Sequence, residues 1–194
     1  MAKLYFRYGA MNAGKSAILL QVAHNYKEKN MKGLIIKPKI DTKGDNKIVS
    51  RIGLFSPVDI LLDIDESLFS IPNQQIIRSS NCIIVDEAEF LSSEQIDELW
   101  TITKQLDIPV ICYGLRTDSR THLFTGSKRL MEVADEIEEL ATICSCGKKA
   151  RFNARIIDGE YTTEGDTIAI DDNDSVKYES LCGKCYLQKV LKRF

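Results

Sequence analysis

Two glycines and a lysine–serine pair near the start of the chain have the spacing of a phosphate-binding loop. They occur as Gly9-x-x-x-x-Gly14-Lys15-Ser16, between a short apolar run and an amphipathic segment. In such a loop backbone N–H groups and a helix N-terminus surround phosphate oxygens, the lysine reaches the β- and γ-phosphates, and the hydroxyl ligates Mg²⁺. We therefore predict binding of ATP or GTP rather than an accidental glycine-rich turn, because a strand and a helix flank the loop. The predicted phosphate contacts in this loop are Gly9, Ala10, Met11, Asn12, Ala13, Gly14, Lys15 and Ser16.

A pair of carboxylates follows a second apolar run, in the stretch IIVDEAEF. Asp86 is suited to hold magnesium together with Ser16, and Glu87 to accept a proton from the attacking group. The alternative is that both acids only begin a helix, whose dipole favours carboxylates. Adjacent residues on a strand face opposite ways, so the strand must turn here if both acids enter one site. Asp86, Glu87, Ala88 and Glu89 complete the predicted ATP-binding set.

These two motifs serve two reactions equally well. If the nucleophile is water, the protein is an ATPase, and if it is a substrate hydroxyl, the protein is a kinase. The motifs alone do not decide between the two.

Four cysteines form two close pairs in the last third of the chain. Cys144 and Cys146 make a C-x-C pair, and Cys182 and Cys185 make a C-x-x-C pair. This spacing predicts a structural zinc site with four thiolate ligands, with free thiols or a redox pair as alternatives. The remaining cysteines, Cys82 and Cys112, lie in apolar runs and are predicted to be small buried side chains.

The elements that must position these groups follow an alternating pattern. Strands are predicted at residues 4–8, 33–37, 82–85 and 109–113, and helices at residues 16–29 and from Ser92 or Ser93 to residue 105. Strands that are apolar throughout and alternate with helices indicate an α/β fold, a parallel sheet with helices on both faces. Residues 41–57 are polar and contain glycines, so we expect a mobile loop there rather than part of the core.

The composition divides the chain into two parts and limits its partners. The predicted domains are residues 1–140, which bind nucleotide, and residues 141–194, which hold zinc and contain little that could form a core alone. The 26 basic and 28 acidic residues give a net charge of −2, which provides no global field for nucleic acid or a membrane surface. Without an export signal or a long apolar stretch, we expect a cytoplasmic protein with reduced cysteines and no membrane or nucleic-acid partner.

The motifs, in this order, resemble those of the cytosolic type II thymidine kinases, closely on the bacterial side. The stretches that carry the resemblance are the phosphate loop, VDEAEFL, CYGLRTDSRTHLF and the terminal LCGKCY. The resemblance implies a RecA-like P-loop sheet and a small zinc-binding lasso domain. It also implies transfer of the ATP γ-phosphoryl group to the 5′-hydroxyl of thymidine or deoxyuridine, for pyrimidine deoxynucleotide salvage. Homotetramers and inhibition by thymidine triphosphate are further family expectations.

The same resemblance implies roles for individual residues. Glu87 matches the catalytic base, and Asp86 with Ser16 matches the magnesium-associated pair. The positions that match the nucleoside-binding residues of the family are Met11, Phe90, Leu115, Phe124 and Tyr178. From the residues alone, Phe90, Leu115 and Phe124 read as core packing. Arg51 and Arg116 are candidates to meet charge on the transferred phosphate.

The sequence shows four departures from the family pattern, one of them a pair of residues, and all concern substrate handling. Glu89 replaces a usual glutamine, which exchanges an amide donor for a carboxyl group. Ser119 replaces an aromatic residue that often lines the base pocket, and Lys43 replaces an arginine, which removes the bidentate fork. Asp171 and Asp172 replace a common pair of glycines in the lasso.

Two other functions remain open from the sequence. A P-loop ATPase whose zinc module binds nucleic acid or a protein partner would hydrolyse ATP without nucleoside and would need a basic face on residues 141–194. A kinase for a different nucleoside would keep the machinery and change only the pocket, at positions such as Glu89 and Ser119.

Overall fold

A six-stranded parallel sheet forms the centre of the fold. The computed structural model describes residues 1–164 and 176–193. Its strands are β1 (Leu4–Tyr8), β2 (Gly33–Pro38), β5 (Ile60–Leu62), β6 (Cys82–Val85), β7 (Val110–Gly114) and β8 (Glu136–Glu139). Their order in the sheet is β5-β2-β6-β7-β1-β8, and all neighbouring strands run parallel.

Helices connect these strands, namely α1 (Lys15–Glu28), α2 (Ile71–Arg78), α3 (Ser93–Gln105) and α4 (Thr125–Val133), with a short 3-10 helix at Ala88–Phe90 after β6. A further helix, α5 (Gly183–Lys189), lies near the C-terminal end of the chain. The predicted start of α3 is confirmed by a capping box between Ser92 and Gln95, in which each side chain bonds the backbone N–H of the other. Within the described residues, no helix is both long enough and apolar enough to cross a membrane.

Successive side chains of the central strands pack into two apolar clusters on opposite faces of the sheet. Ile83 and Val85 of β6 join the cluster that α2, α3 and α4 cover, whereas Cys82 and Ile84 join the cluster that includes Leu19 of α1. This alternation follows from the period of two of a strand. The predicted α/β class with both faces covered is confirmed, and so is the burial of Cys82 and Cys112.

Two strands of the sheet are missing from the sequence prediction. The edge strand β5 has three residues, and the other edge strand β8 has the sequence EIEE, which is acidic and largely exposed. β8 pairs with β1 from Tyr5↔Glu136 to Tyr8↔Glu139. An edge strand needs neither length nor an apolar sequence, because only one neighbour and one face support it.

The expectation of a loop without core contacts at residues 41–57 is wrong. The segment contains an antiparallel hairpin of β3 (Lys47–Val49) and β4 (Phe55–Pro57). Ile48 is 2% exposed and belongs to the core cluster that contains Leu19 and Leu20. Ile48 thus anchors the hairpin in the core, and the polar residues around it hide this contact in the sequence.

The C-terminal segment, residues 141–194, has more of a core than its sequence predicts. A three-stranded antiparallel sheet places β11 (Phe152–Ile157) between β12 (Glu160–Thr162) and β13 (Val176–Leu181), beside a pair formed by β9 (Thr142–Ile143) and β10 (Lys149–Ala150). An apolar cluster of its own includes Ala154, Leu181 and Tyr186 together with Cys144 and Cys182. Two thiols therefore act as part of this small core.

Candidate active site

One cavity of about 790 Å³ lies at the carboxyl edge of the central sheet. The chain leaves β1, β6 and β7 at this edge, which is where parallel sheets place their ligands. Its wall combines the phosphate loop, the hairpin, the acidic turn after β6 and two strands of the C-terminal segment. The lining residues used below are Met11, Asn12, Ala13, Gly14, Lys15, Ser16, Asp41, Lys43, Arg51, Glu87, Glu89, Phe90, Leu115, Ser119, Phe124, Asn153 and Tyr178.

The phosphate loop has the backbone that its glycines predict. Gly14 has a φ of 76°, in the left-handed region, and begins α1. At Gly9 a Cβ atom would lie 2.7 Å from the Leu140 carbonyl oxygen, so a larger residue has no room. The Lys15 ammonium donates to the carbonyl oxygens of Gly9 and Ala10, both at 3.3 Å, and is thereby held inside the loop.

The chain turns sharply at Glu87, as the pairing of the two acids requires. Glu87 has φ 47° and ψ 42°, a left-handed conformation that is uncommon for a residue with a side chain. Asp86 is 4% exposed, and its Oδ1 atom has no hydrogen-bond partner among the described residues. Burial raises the pKa of the Asp86 carboxyl to about 7, and Glu87 adds to this shift, while Lys15 and Ser16 oppose it. A buried carboxylate oxygen without a partner fits a cation ligand.

Glu89 is the most deeply buried acid of the site. It is 1% exposed, and neither carboxyl oxygen has a hydrogen-bond partner within residues 1–164 and 176–193. Burial raises the pKa of Glu89 well above its usual value, and the nearby Glu87 raises it further. The raised pKa favours the neutral carboxylic acid at Glu89, and in that form the side chain can donate one hydrogen bond as an amide would.

The predicted nucleoside contacts lie together in the cavity wall, and Met11, Leu115 and Tyr178 are among them. Phe90 and Phe124 form an edge-to-face pair with ring centroids 5.6 Å apart and an interplanar angle of 78°. Ser119 and Lys43, which depart from the family pattern, line the same cavity. Asp171 and Asp172 lie outside the described residues.

The other predicted residues divide between the wall and the layer behind it. Within the described residues, Gly9, Ala10, Asp86 and Ala88 are buried and do not line the cavity. Of the two candidate arginines, Arg51 lines the cavity. The Arg116 guanidinium instead lies 5.9 Å from the ring centroid of Tyr8 and 5.8 Å from that of Phe152.

The four predicted cysteine ligands form one cluster. Their sulfur atoms all lie within 4.8 Å of one another. Backbone N–H groups at Cys146 and Cys182 lower the pKa of Cys144 to about 6 against the effect of burial, which favours a thiolate there. A set of four thiols at this separation fits a tetrahedral Zn²⁺ ion, and the residues that would hold it are Cys144, Cys146, Cys182 and Cys185.

Sequence reasoning missed Asn153, a polar residue in the cavity wall. It lies on β11 in the stretch RFNARII and is 4% exposed. No local motif marks it, and the one available signal is an amide between residues that otherwise read as a strand. The structure shows its importance through its contacts with Met11 and Thr117.

Comparison with known proteins gives the family. The family profile described as thymidine kinase matches residues 2–186. The chain belongs to the thymidine kinase family. The thymidine kinase of Haemophilus influenzae is 47% identical over 192 residues, which cover 97% of this chain and 98% of the relative. Those of Enterobacteria phage T4 and Rhodopirellula baltica are 46% and 42% identical, and the matches cover 95% and 100% of this chain and 95% and 92% of the relatives.

Membership of the thymidine kinase family confirms the predicted family and the choice of a kinase over an ATPase, with thymidine as the phosphorylated substrate. Among solved structures, the Pif1 helicase of Candida albicans matches 72% of this chain and 36% of its own chain, at 14% identity and a TM-score of 0.43. A match this partial carries no argument about fold or activity.

Proposed function

We propose that the cavity binds ATP and thymidine, or deoxyuridine, end to end, and that Glu87 is the catalytic base for transfer of the γ-phosphoryl group to the 5′-hydroxyl. The supporting observation is that one cavity joins the phosphate loop, the acidic turn and an apolar aromatic wall. A phosphate donor needs the first, proton transfer needs the second, and a flat pyrimidine fits the third.

The phosphate end depends on groups that are already oriented. Lys15, now bonded to two loop carbonyls, exchanges them for phosphate oxygens when ATP enters. The N–H groups at the start of α1 add partial positive charge. Asp86 and Ser16 are the residues that would hold Mg²⁺, and this ion, when bound, neutralises charge on the β- and γ-phosphates. Arg51, on the hairpin side of the cavity, is the candidate to meet charge on the transferred group.

The transfer step balances through Glu87. The 5′-oxygen of the nucleoside forms a bond to the γ-phosphorus, the bond from that phosphorus to the β–γ bridging oxygen breaks, and ADP leaves. The hydroxyl proton passes to the Glu87 carboxylate.

The nucleoside end is apolar with polar edges. The crossed rings of Phe90 and Phe124, with Met11 and Leu115, provide walls for a pyrimidine. Tyr178, on β13, lies where the sugar and base would pass under the C-terminal segment. Ser119 makes one part of this wall smaller than an aromatic residue would, so the pocket has room near it.

Further properties follow from family membership and remain proposals. They are the domain boundary near residue 140, a structural Zn²⁺ ion on the four cysteines, a homotetramer, feedback inhibition by thymidine triphosphate and a cytoplasmic location. The sulfur cluster supports the zinc ion, and the small core of the C-terminal segment supports the boundary.

The test is steady-state transfer from γ-labelled ATP with Mg²⁺ to thymidine, deoxyuridine, deoxycytidine and the purine deoxynucleosides, with a control that contains no nucleoside. We expect label chiefly in thymidine monophosphate. Label chiefly in another monophosphate would assign the pocket to a different nucleoside. Phosphate release that is independent of every nucleoside would contradict the proposal and favour an ATPase with a macromolecular partner.

A further inference from the structure

Two side chains of the C-terminal segment hold the peptide groups of one phosphate-loop residue, Met11. The N–H of Met11 donates to Oδ1 of Asn153 at 2.8 Å. The carbonyl oxygen of Met11 accepts a bond from the Ser180 hydroxyl at 2.5 Å. Both side chains are buried, at 4% and 6% exposed, so water does not compete for these bonds.

Asn153 and Ser180 form a cross-strand pair. They lie directly opposite each other in the β11–β13 register, and the next pair on the same face is Arg155↔Tyr178. Ser180 and Tyr178 thus project from the same face of β13, one toward the loop and the other into the cavity wall. Through these contacts the sheet fixes the separation between Met11 and Tyr178, which both line the cavity.

Asn153 also reaches a second wall of the cavity. Its amide nitrogen donates to the Thr117 carbonyl oxygen at 3.4 Å. Thr117 belongs to the segment after β7 that contains Leu115 and Ser119, both in the cavity wall. One buried amide therefore joins the phosphate loop, the segment after β7 and the C-terminal sheet.

We propose that Asn153 and Ser180 are positioning residues that set the geometry of the nucleoside end of the cavity by clamping Met11. This inference rests on the proposed function and names residues that it does not use. Neither side chain takes part in the transfer. They act through Met11, which lines the cavity and whose N–H and carbonyl groups they hold.

Loss of the bonds from Asn153 and Ser180 to Met11, which we call the clamp, should have an effect that a general loss of stability would not have. Without the clamp, the Met11 wall moves relative to Tyr178, while Lys15 and the start of α1 keep their own contacts. Because the N–H of Met11 bonds Asn153 and is not directed at the phosphate site, nucleoside affinity should fall and ATP affinity should not. Loss of folded protein alone would lower kcat through the active fraction and would leave both KM values unchanged.

The experiment compares Ser180→Ala, Ser180→Thr and Asn153→Ala in the full chain. We expect Ser180→Ala and Asn153→Ala to raise the KM for thymidine about tenfold, the size of one lost buried hydrogen bond, and to change the KM for ATP less than about twofold. Ser180→Thr retains a hydroxyl and should return the KM for thymidine to within about twofold of the parent value. The matched control is Thr103→Val, which removes a buried hydroxyl of α3 that bonds the Trp100 carbonyl, and it should leave both KM values unchanged.

Amide hydrogen exchange of the peptide that contains Met11 provides a readout without nucleoside. Exchange there should accelerate in Ser180→Ala and Asn153→Ala and not in Thr103→Val. Unchanged exchange together with unchanged KM values would overturn the clamp. If the parent chain transfers no phosphate to thymidine, the proposed function fails, and the exchange result still decides whether Asn153 and Ser180 hold the loop.

Discussion

Among single side chains, three carboxyl groups within four residues have the largest effect on the electrostatics of the site. Asp86 and Glu89 are buried with raised pKa values, and the third acid, Glu87, has a left-handed backbone conformation and adds to both pKa shifts. A glutamine at position 89 would be neutral at every pH. A glutamic acid there is neutral only while it keeps its proton, so this chain acquires a pH dependence that an amide lacks.

The first prediction concerns the stability of Glu89→Gln as a function of pH. Because the pKa of Glu89 is raised in the folded protein, the folded state holds a proton that the unfolded state loses above about pH 4.3. The stabilising contribution of Glu89 is therefore complete below that pH and is lost as pH rises toward the folded pKa. We expect the variant and the parent to have similar Tm values near pH 4.5. At pH 8 the variant should be more stable by at least about 1 kcal/mol, or about 2–4 °C.

Thermal unfolding of the ligand-free protein at both pH values tests this. The raised pKa of Asp86 also makes stability fall as pH rises, but it does so in both proteins. The difference in Tm between the two therefore reports on position 89. The control is Glu160→Gln, a fully comparable change at an exposed site, and its Tm difference should be independent of pH. A Tm difference for Glu89→Gln that does not grow with pH would refute the neutral carboxylic acid.

Single residues were predictable where the chemistry is local in the chain. The phosphate loop and the cysteine pairs each lie within a few residues, so spacing alone brings them together. Asn153 was not predictable, because its partners Met11 and Thr117 are 142 and 36 residues away and its contacts depend on strand register. Glu89 departs visibly from the family pattern, but its raised pKa depends on burial, which a sequence does not specify.

The hairpin of β3 and β4 was not predicted from the sequence, yet it forms part of the cavity wall. Its strands have three residues each, and Arg51 in its turn lines the cavity. The buried Lys37 secures its base, through an ion pair of 3.0 Å with Asp41 and a bond to the Lys43 carbonyl oxygen. Ile48 provides the apolar anchor at the other end.

The second prediction is that Ile48→Ala releases this hairpin. Loss of a buried isoleucine costs about 2–5 kcal/mol, more than two strands of three residues can supply from other contacts. We expect trypsin to cleave the ligand-free variant after Lys47 or Arg51 about tenfold faster than the parent, ahead of global unfolding.

Ile52→Ala is the matched control, because Ile52 lies in the same hairpin and is 74% exposed. Its cleavage rate should equal that of the parent. Equal rates for Ile48→Ala and Ile52→Ala would show that Ile48 does not hold the hairpin.

Elements were predictable in proportion to their apolar content. The buried strands at residues 4–8, 33–37, 82–85 and 109–113 and the helices α1 and α3 were predicted from the sequence, within one to two residues of the structure. The strands β5 and β8, the hairpin and the shorter helices α2 and α4 were not predicted. These are short or edge elements, which neighbours stabilise more than their own side chains do.

At the scale of the whole molecule, the cysteine cluster and the phosphate loop are linked through one sheet. Cys182 follows directly after β13, two residues beyond Ser180, which bonds Met11. The small core that includes Cys144 and Cys182 supports this sheet. A bound metal would therefore stabilise the part of the molecule that positions the cavity wall.

The third prediction is that zinc binding requires the four clustered cysteines and does not require the other cysteines of the chain. We expect about one zinc ion per chain in the parent, by elemental analysis, and less than about a tenth of that in Cys146→Ala. Cys146 is exposed, so its loss removes little packing, yet the Tm should fall by more than about 4 °C because the binding energy of the metal is lost.

Cys82→Ala is the control, since Cys82 is fully buried in the central sheet. It should retain the metal although it loses packing. Equal zinc content in Cys146→Ala and the parent would refute the four-thiolate site.

The central claim of the proposed reaction is that Glu87 is the catalytic base. The most direct test is single-turnover transfer from γ-labelled ATP to thymidine by Glu87→Gln. The substitution retains size and removes the proton acceptor, so the transfer rate should fall about 1,000-fold. Binding of a non-hydrolysable ATP analogue should change less than about threefold. Glu94→Gln, at an exposed position, controls for the amide and should transfer at the parent rate. A Glu87→Gln protein that retains more than about a third of the parent rate would contradict the role of Glu87 as catalytic base.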